Sequence, residues 1–170
     1  MKIIVLTSSE TAQAHLSAAY RSLDGEQQRQ LQLAIVDLGE KDSAASQAGA
    51  KTKLAAADAD LVLFDAHGVR KELVDRIKVI LSEGTAQFVP VGSDSADIRS
   101  LLRLGRLTAG GWSGLPAGPE TTLPQSLKRD YDNYVKITEY WRGGGADNLF
   151  GLLCLAGREY GVCDLLPAPA

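Results

Sequence analysis

The sequence predicts an α/β protein in which one parallel β-sheet lies between two layers of helices. Four short apolar runs, typical of strands buried on both faces, recur between residues 3 and 91. Helical patterns separate these runs, and this alternation is typical of parallel sheets with crossover helices. A length of 170 residues, 45% of them hydrophobic, suits one domain with a sizeable core.

The four predicted strands are runs of β-branched and other apolar residues, bounded by polar or glycine-containing turns. They cover residues 3–6, 31–36, 61–64 and 87–91. Four helices are predicted at residues 10–23, 43–57, 71–82 and 96–107, from apolar spacing or from alanine content. Since parallel strands are joined by right-handed crossovers, the expected strand order is 2-1-3-4. This is a flavodoxin-like, or Rossmann-like, three-layer sandwich with a four-stranded parallel sheet.

The last third of the chain has a different pattern. Residues 108–124 hold four glycines and three prolines, which predicts an irregular loop. A helical hairpin is predicted over residues 123–161, with its turn at residues 143–145. We expect the hairpin to pack on the sheet within one domain of residues 1–164. Residues 165–170 are typical of the start of a proline-containing linker.

Composition limits the functional classes. A net charge of −3 opposes nucleic acid as the main partner, because phosphate binding needs clustered Lys and Arg. Arg99, Arg103 and Arg106 have helical spacing and are interpreted as an exposed helix face. No apolar run has the length of about 20 residues that a membrane span needs, and no secretory signal is recognised. A cytoplasmic protein is therefore expected.

The cysteines and histidines predict no metal site. There is no CxxC pair, and Cys154 lies in an apolar helical run, where a buried and unreactive thiol is expected. His67 and His15 are the two histidines of the chain. His15 lies on a predicted helix, and we expect it to be exposed. His67 follows a predicted strand and has Asp65 two residues before it, on the same face of an extended chain.

Candidate binding residues follow the ends of the predicted strands, because open parallel sheets bind ligands beyond the carboxyl ends of their strands. Thr7, Ser8 and Ser9 follow the first strand and are interpreted as helix caps or as anion ligands. His67 with Gly68 follows the third. A structural hydrogen bond from His67 is favoured, and metal ligation, tetrapyrrole contact and proton transfer stay open.

Ser93 and Trp112 complete the candidate set. Ser93 follows the fourth predicted strand. Trp112 lies in the glycine-rich loop, where it either stacks on a flat ligand or anchors the loop on the core. No arrangement typical of a nucleophilic triad and no nucleotide-binding fingerprint is present.

Four segments, in order, resemble the N-terminal region of the large, tetrapyrrole-binding subunit of the cobalt and magnesium chelatases. Residues 2–7 resemble the first strand of that family, and the segment DLVLFDAHG at 60–68 is similar to its "ADLVVVRLHGG". Residues 101–111 resemble a helix that runs into "RLG" and a glycine-rich turn. The segment YWRGG with DNL and LL, within 140–153, resembles the pattern that closes the region.

This resemblance implies insertion of a divalent metal ion into a tetrapyrrole, driven by ATP hydrolysis on partner subunits. ATP and cobalt, or magnesium, would serve the complete enzyme, and no cofactor is expected in this domain. The implied partners are the tetrapyrrole, the rest of the large subunit and the ATPase subunits, and the isolated domain is not expected to catalyse chelation. The His-Gly element favours the cobalt branch and cobalamin biosynthesis. The Tyr-Trp pair is shared with the magnesium branch of chlorophyll biosynthesis.

Two other functions stay open from the sequence. A non-catalytic interaction module would dock through the face of residues 125–161, which an apolar surface there would favour. An independent flavodoxin-like binder would hold a phosphate in the Ser/Thr-rich loop at residues 7–11.

Overall fold

The computed structural model describes residues 1–39, 52, 56, 58–92, 95–108 and 123–161. In these residues six strands form one sheet, and six helices accompany it. The strands are β1 Lys2–Thr7, β2 Gln32–Asp37, β3 Leu61–Asp65, β4 Gln87–Gly92, β5 Arg103–Leu104 and β6 Leu107–Thr108. The helices are α1 Glu10–Arg21, α2 Gly25–Gln30, α3 Lys71–Glu83, α4 Ala96–Arg99, α5 Gln125–Gly143 and α6 Gly145–Tyr160.

The first four strands are parallel and have the predicted order β2-β1-β3-β4. All five residues of β3 are buried, as expected for an apolar strand with helices on both sides. Of the predicted second helix, 43–57, only Thr52 and Ala56 lie in the described part of the chain, and both are helical. The α/β class and the order of the parallel strands are therefore confirmed.

The prediction of a four-stranded, wholly parallel sheet is wrong. Strands β5 and β6 extend the sheet as an antiparallel hairpin in a region where a helix over residues 96–107 was expected. The helix ends after Arg99. Beyond it, Leu102 and Leu104 are buried on either side of Arg103, and this alternation has the two-residue period of a strand. Gly105, with a φ of +57°, makes the tight reversal that only glycine adopts easily.

The three arginines consequently do not share one exposed helix face. Arg103 lies on β5, and its guanidinium donates hydrogen bonds to the backbone oxygens of Leu81 and Ala86. These bonds tie the end of α3 to the added hairpin. Arg106 lies in the hairpin turn, while Arg99 remains on a helix.

The core has two layers because side chains alternate across the pleated sheet. Ile3 and Val5 of β1 face a cluster that includes Leu16 of α1 and Leu152 of α6. Ile4 and Leu6 face the opposite cluster, which includes Ile77 of α3. Full burial of each such side chain contributes roughly 1.5–3 kcal/mol.

Helices α5 and α6 form an antiparallel pair against α1 and β4. Gly151 of α6 permits their close approach, since a Cβ atom there would lie 2.9 Å from the ring of Tyr140 on α5. Gly144 and Gly145 both have positive φ and make the turn between the helices. Asn148 donates from its side-chain nitrogen to the backbone oxygen of Gly144 at 2.8 Å, which closes the turn. No helix of the described part is both long and apolar enough to cross a membrane.

Asp130 of α5 is a buried carboxylate that joins the helical pair to the β5–β6 turn. It accepts hydrogen bonds from the backbone N–H of Arg106 at 2.7 Å and from the hydroxyl of Tyr160 at 3.1 Å. A Cβ atom at Gly105 would lie 2.4 Å from its Oδ2, so the glycine makes room for the carboxylate. Burial, and to a lesser extent the Asp130 charge, raises the pKa of Tyr160.

We expect replacement of Asp130 by alanine to lower the free energy of unfolding by about 1–3 kcal/mol, because two partly buried donors lose their acceptor. Asp132→Ala is the matched control, since Asp132 is a half-exposed carboxylate on the same helix that pairs with the exposed Lys128. This control should change stability by less than about 1 kcal/mol. Urea denaturation of the two variants measures both effects, and equal losses would contradict a structural role specific to Asp130.

Alkaline solutions should destabilise the fold partly through Tyr160. Because its folded-state pKa lies above the ordinary value of 10.0, its contribution to stability is fully present below pH 10. That contribution is lost as the pH rises through the folded-state pKa. Between about pH 8 and pH 11, we expect Tyr160→Phe to lose less stability than the parent protein, because the variant lacks this phenol. Some loss should remain in both proteins, because both keep their other groups that titrate in alkali. Urea denaturation at the two pH values checks this, and parallel losses would refute it.

Candidate functional site

Two adjoining cavities lie where the carboxyl ends of β1, β3 and β4 meet the last two helices. The larger cavity has a volume of about 490 Å³, within the range of small-molecule sites. Its polar and aromatic lining consists of His67, Arg99, Tyr134, Thr138, Trp141 and Arg142. The smaller cavity, of about 350 Å³, is lined by residues that include Ser9, His15, Asp65 and Trp141. Trp141 lines both cavities.

Asp65 and His67 form a pair at the end of β3, as their spacing predicted. Asp65 Oδ1 accepts from the backbone N–H of His67 at 3.1 Å and lies 3.0 Å from Nδ1 of its ring. The other oxygen, Oδ2, accepts from the hydroxyl of Thr7 at 3.1 Å. The side chain of Asp65 is 7% exposed and that of His67 is 73% exposed. A buried carboxylate thus holds an imidazole that is open to solvent.

Gly92 at the end of β4 is required for this pair. A Cβ atom at Gly92 would lie 2.0 Å from Oδ1 of Asp65 and 2.9 Å from Nδ1 of His67. The register of β3 and β4 shifts after Phe64, and Asp65 then lies opposite Gly92. The absence of a side chain at this position, together with the shift, makes room for the carboxylate between the strands.

The hydroxyls after β1 are used within the protein. Ser9 caps α1 by accepting from the backbone N–H of Ala12, which confirms the capping interpretation for this residue. Ser8 donates to the backbone oxygen of His67 at 2.6 Å. Thr7 is buried, accepts from the N–H of Ser9 and donates to Asp65. These bonds fasten the end of β1 to the turn after β3.

Gly68 shapes that turn. Its φ is +71°, and a Cβ atom there would lie 3.0 Å from the hydroxyl oxygen of Ser8. A larger residue would strain the backbone and press on Ser8. The five predicted site residues in the described part, from the ends of β1 and β3, therefore lie at one edge of the sheet. The other two, Ser93 and Trp112, lie outside the described residues.

Arginine side chains give the larger cavity a positive character. Arg99 comes from α4 and Arg142 from the end of α5. Tyr134, also on α5, lies between the core and this cavity, and its burial raises its phenol pKa. The charges of Arg99 and Arg142 oppose this rise, which places both guanidinium groups near the phenol. The cavity therefore combines two fixed positive charges with a protonated phenol, which favours an anionic ligand.

His15 is not exposed as the sequence predicted but half-buried at the smaller cavity. Its Nδ1 accepts a hydrogen bond from the backbone N–H of Gly145 at 3.2 Å. The bond satisfies one of the N–H groups that the first turn of α6 leaves without a helical partner. A residue of α1 thus holds the turn between the last two helices beside the site.

The sequence pattern did not identify Arg99, Tyr134, Trp141 and Arg142 as site residues. That pattern predicts an exposed helix face for Arg99 and a packing role for the two aromatic residues. The aromatic residues do pack against the core, but Tyr134, Thr138 and Trp141 also share one face of α5 that borders the cavity. Their helical spacing was visible in the sequence, whereas the position of that face beside β4 was not.

In the described part of the chain, neither a cysteine nucleophile nor a metal site built from several side chains is supported. Burial raises the pKa of the Cys154 thiol to about 11, which opposes a nucleophilic role. No three His, Cys, Asp or Glu side chains of that part are grouped as ligands for a metal ion.

Comparison of the sequence with protein-family models gave no matching family, and comparison with curated proteins gave no matching relative. The resemblance to the chelatase subunits therefore stays a prediction from the residues that carry it.

Substitution of Gly92 by alanine should lower the free energy of unfolding by about 2–4 kcal/mol, because the new Cβ atom overlaps the Asp65 carboxylate. Gly84→Ala is the control, since a Cβ atom there would have only ordinary contacts at 3.6 Å and 3.7 Å. Thermal denaturation of both variants tests the difference. Equal stability of the two variants would show that Asp65 has room to move.

Proposed function

We propose that this chain is the N-terminal domain of a cobaltochelatase-type large subunit. Its larger cavity would hold part of an anionic tetrapyrrole for ATP-dependent metal insertion in cobalamin biosynthesis. One observation carries the proposal: two of the four segments that resemble the family line the two cavities, and a third holds one of the lining residues, Asp65, in place. Residues 2–7 supply Thr7, residues 60–68 supply Asp65 and His67, and residues 140–153 supply Trp141 and the following turn.

The chemistry of the cavity suits a tetrapyrrole. Biosynthetic tetrapyrroles are flat, largely apolar rings that carry carboxylate side chains at their edges. Arg99 and Arg142 supply guanidinium groups, which match carboxylates in charge and shape. Trp141 offers an aromatic surface to the ring, and Tyr134 offers a phenol. The domain would bind and orient the tetrapyrrole, while metal insertion and ATP hydrolysis would take place on the rest of the enzyme.

The alternatives receive less support. A flavodoxin-like phosphate loop would use hydroxyls of residues 7–11, and two of these, on Thr7 and Ser8, already donate to other parts of the protein. A docking module on the helical hairpin needs an apolar surface, and the large apolar side chain that stands exposed in the described part, Val79, is on α3. A magnesium chelatase domain would use the same cavity chemistry and remains the nearest alternative.

The test is titration of the protein with a metal-free porphyrin that carries several carboxylates, followed by tryptophan fluorescence. We expect saturable quenching at micromolar porphyrin. Arg99→Gln should weaken binding about tenfold, because it removes one charge-assisted contact. Arg76→Gln is the control, since Arg76 is exposed on α3 and does not line either cavity.

A porphyrin whose carboxylates are esterified distinguishes the contribution of charge to binding from the contribution of ring stacking. The ester should bind more weakly than the acid to the parent protein and equally to the parent protein and the Arg99→Gln variant. Absence of saturable binding of the acid form would contradict the proposed function. Equal weakening by Arg99→Gln and Arg76→Gln would contradict the site.

A further inference from the structure

The imidazole of His67 has one nitrogen committed to the protein and one directed away from that bond. Nδ1 lies 3.0 Å from Oδ1 of Asp65, and this carboxylate oxygen accepts hydrogen bonds. In the neutral ring the proton is therefore on Nδ1, and Nε2 carries the lone pair. His67 lines the larger cavity, and 73% of its side chain is exposed, so this lone pair is accessible to a ligand.

Three further contacts hold the ring in position. The carboxylate of Asp65 is itself fixed by Thr7, and the backbone of His67 is fixed by Ser8 and by its own N–H bond to Asp65. An imidazole that donates from one nitrogen to a buried carboxylate is the usual arrangement of a metal-ligating histidine, since the carboxylate sets the tautomer and strengthens the free nitrogen as a donor.

The charged groups near His67 favour a metal ion that is already bound in a ring over a free cation. Both oxygens of Asp65 already accept hydrogen bonds, and the charged neighbours at the larger cavity are Arg99 and Arg142, which repel a bare cation. A metal ion already held by four ring nitrogens needs only one further ligand, on its axis. If that ring carries carboxylates, its negative charge also suits the two arginines.

We infer that Nε2 of His67 is the axial ligand to the metal ion of a metallated tetrapyrrole in the larger cavity. This inference rests on the proposed function and extends it, because it makes the domain bind the metallated ring in preference to the metal-free ring. The domain would then retain the product of metal insertion more strongly than the substrate.

The experiment compares the zinc and metal-free forms of one carboxylated porphyrin, because zinc porphyrins take one axial nitrogen ligand. The parent protein should bind the zinc form about tenfold or more tightly, and binding should shift the main absorption band of the zinc form to longer wavelength, as imidazole does. His67→Ala should abolish both the preference and the shift, so that this variant binds the zinc and metal-free forms with equal affinity. Since the side chain is largely exposed, this variant is expected to fold, which circular dichroism checks.

Arg99→Gln is the matched control within the same cavity. It should weaken binding of both forms by the same factor and leave the absorption shift intact, because its contact is to carboxylates and not to the metal. Equal affinity of the parent protein for the two forms, or an unchanged shift in His67→Ala, would overturn the inference and leave the proposed function standing. Absence of binding of either form would overturn both.

Discussion

A buried carboxylate at the carboxyl end of β3 fixes the positions of its neighbours at the edge of the sheet that borders the two cavities. Asp65 has little access to water, and burial of a charged group is costly unless hydrogen bonds replace its hydration. The partners of its two oxygens are the hydroxyl of Thr7 and the backbone and ring nitrogens of His67. These bonds join β1 to β3 and orient the imidazole of His67. The hydrogen bonds that stabilise the buried charge of Asp65 therefore also position the histidine beside the cavity.

A similar arrangement occurs where α5 meets the β5–β6 turn. Asp130 is also buried and also lies against a glycine, in this case Gly105 of the β5–β6 turn. In both places a missing Cβ atom provides the space for a carboxylate, and the carboxylate joins elements that are far apart in sequence. One carboxylate fixes the histidine that lines the larger cavity, and the other fixes the helix that carries Tyr134 and Trp141 to that cavity.

This arrangement connects the fold to the proposed chemistry. Parallel strands bring the ends of β1, β3 and β4 to one edge, and the last two helices close that edge with Trp141 and Arg142, beside Arg99 of α4. Preorganised groups of this kind lower the entropic cost of binding, because their positions are set before the ligand arrives. Rigid presentation of one imidazole beside positive charges suits an anionic ring that carries a metal ion, which is the ligand that we propose.

The sequence by itself determined the α/β class, the order of the four parallel strands, the pairing of Asp65 with His67 and the cap at Ser9. These features depend on local patterns: apolar runs, helical spacing, and side chains two residues apart on a strand. Tertiary structure alone decided the β5–β6 hairpin, the half-buried position of His15 and the convergence of Arg99, Trp141 and Arg142 on His67. Each depends on contacts between distant segments, such as the Arg103 bonds to the end of α3 and the Gly145 bond to His15. A local pattern cannot specify such contacts, because their free energy arises only when the sheet has brought the segments together.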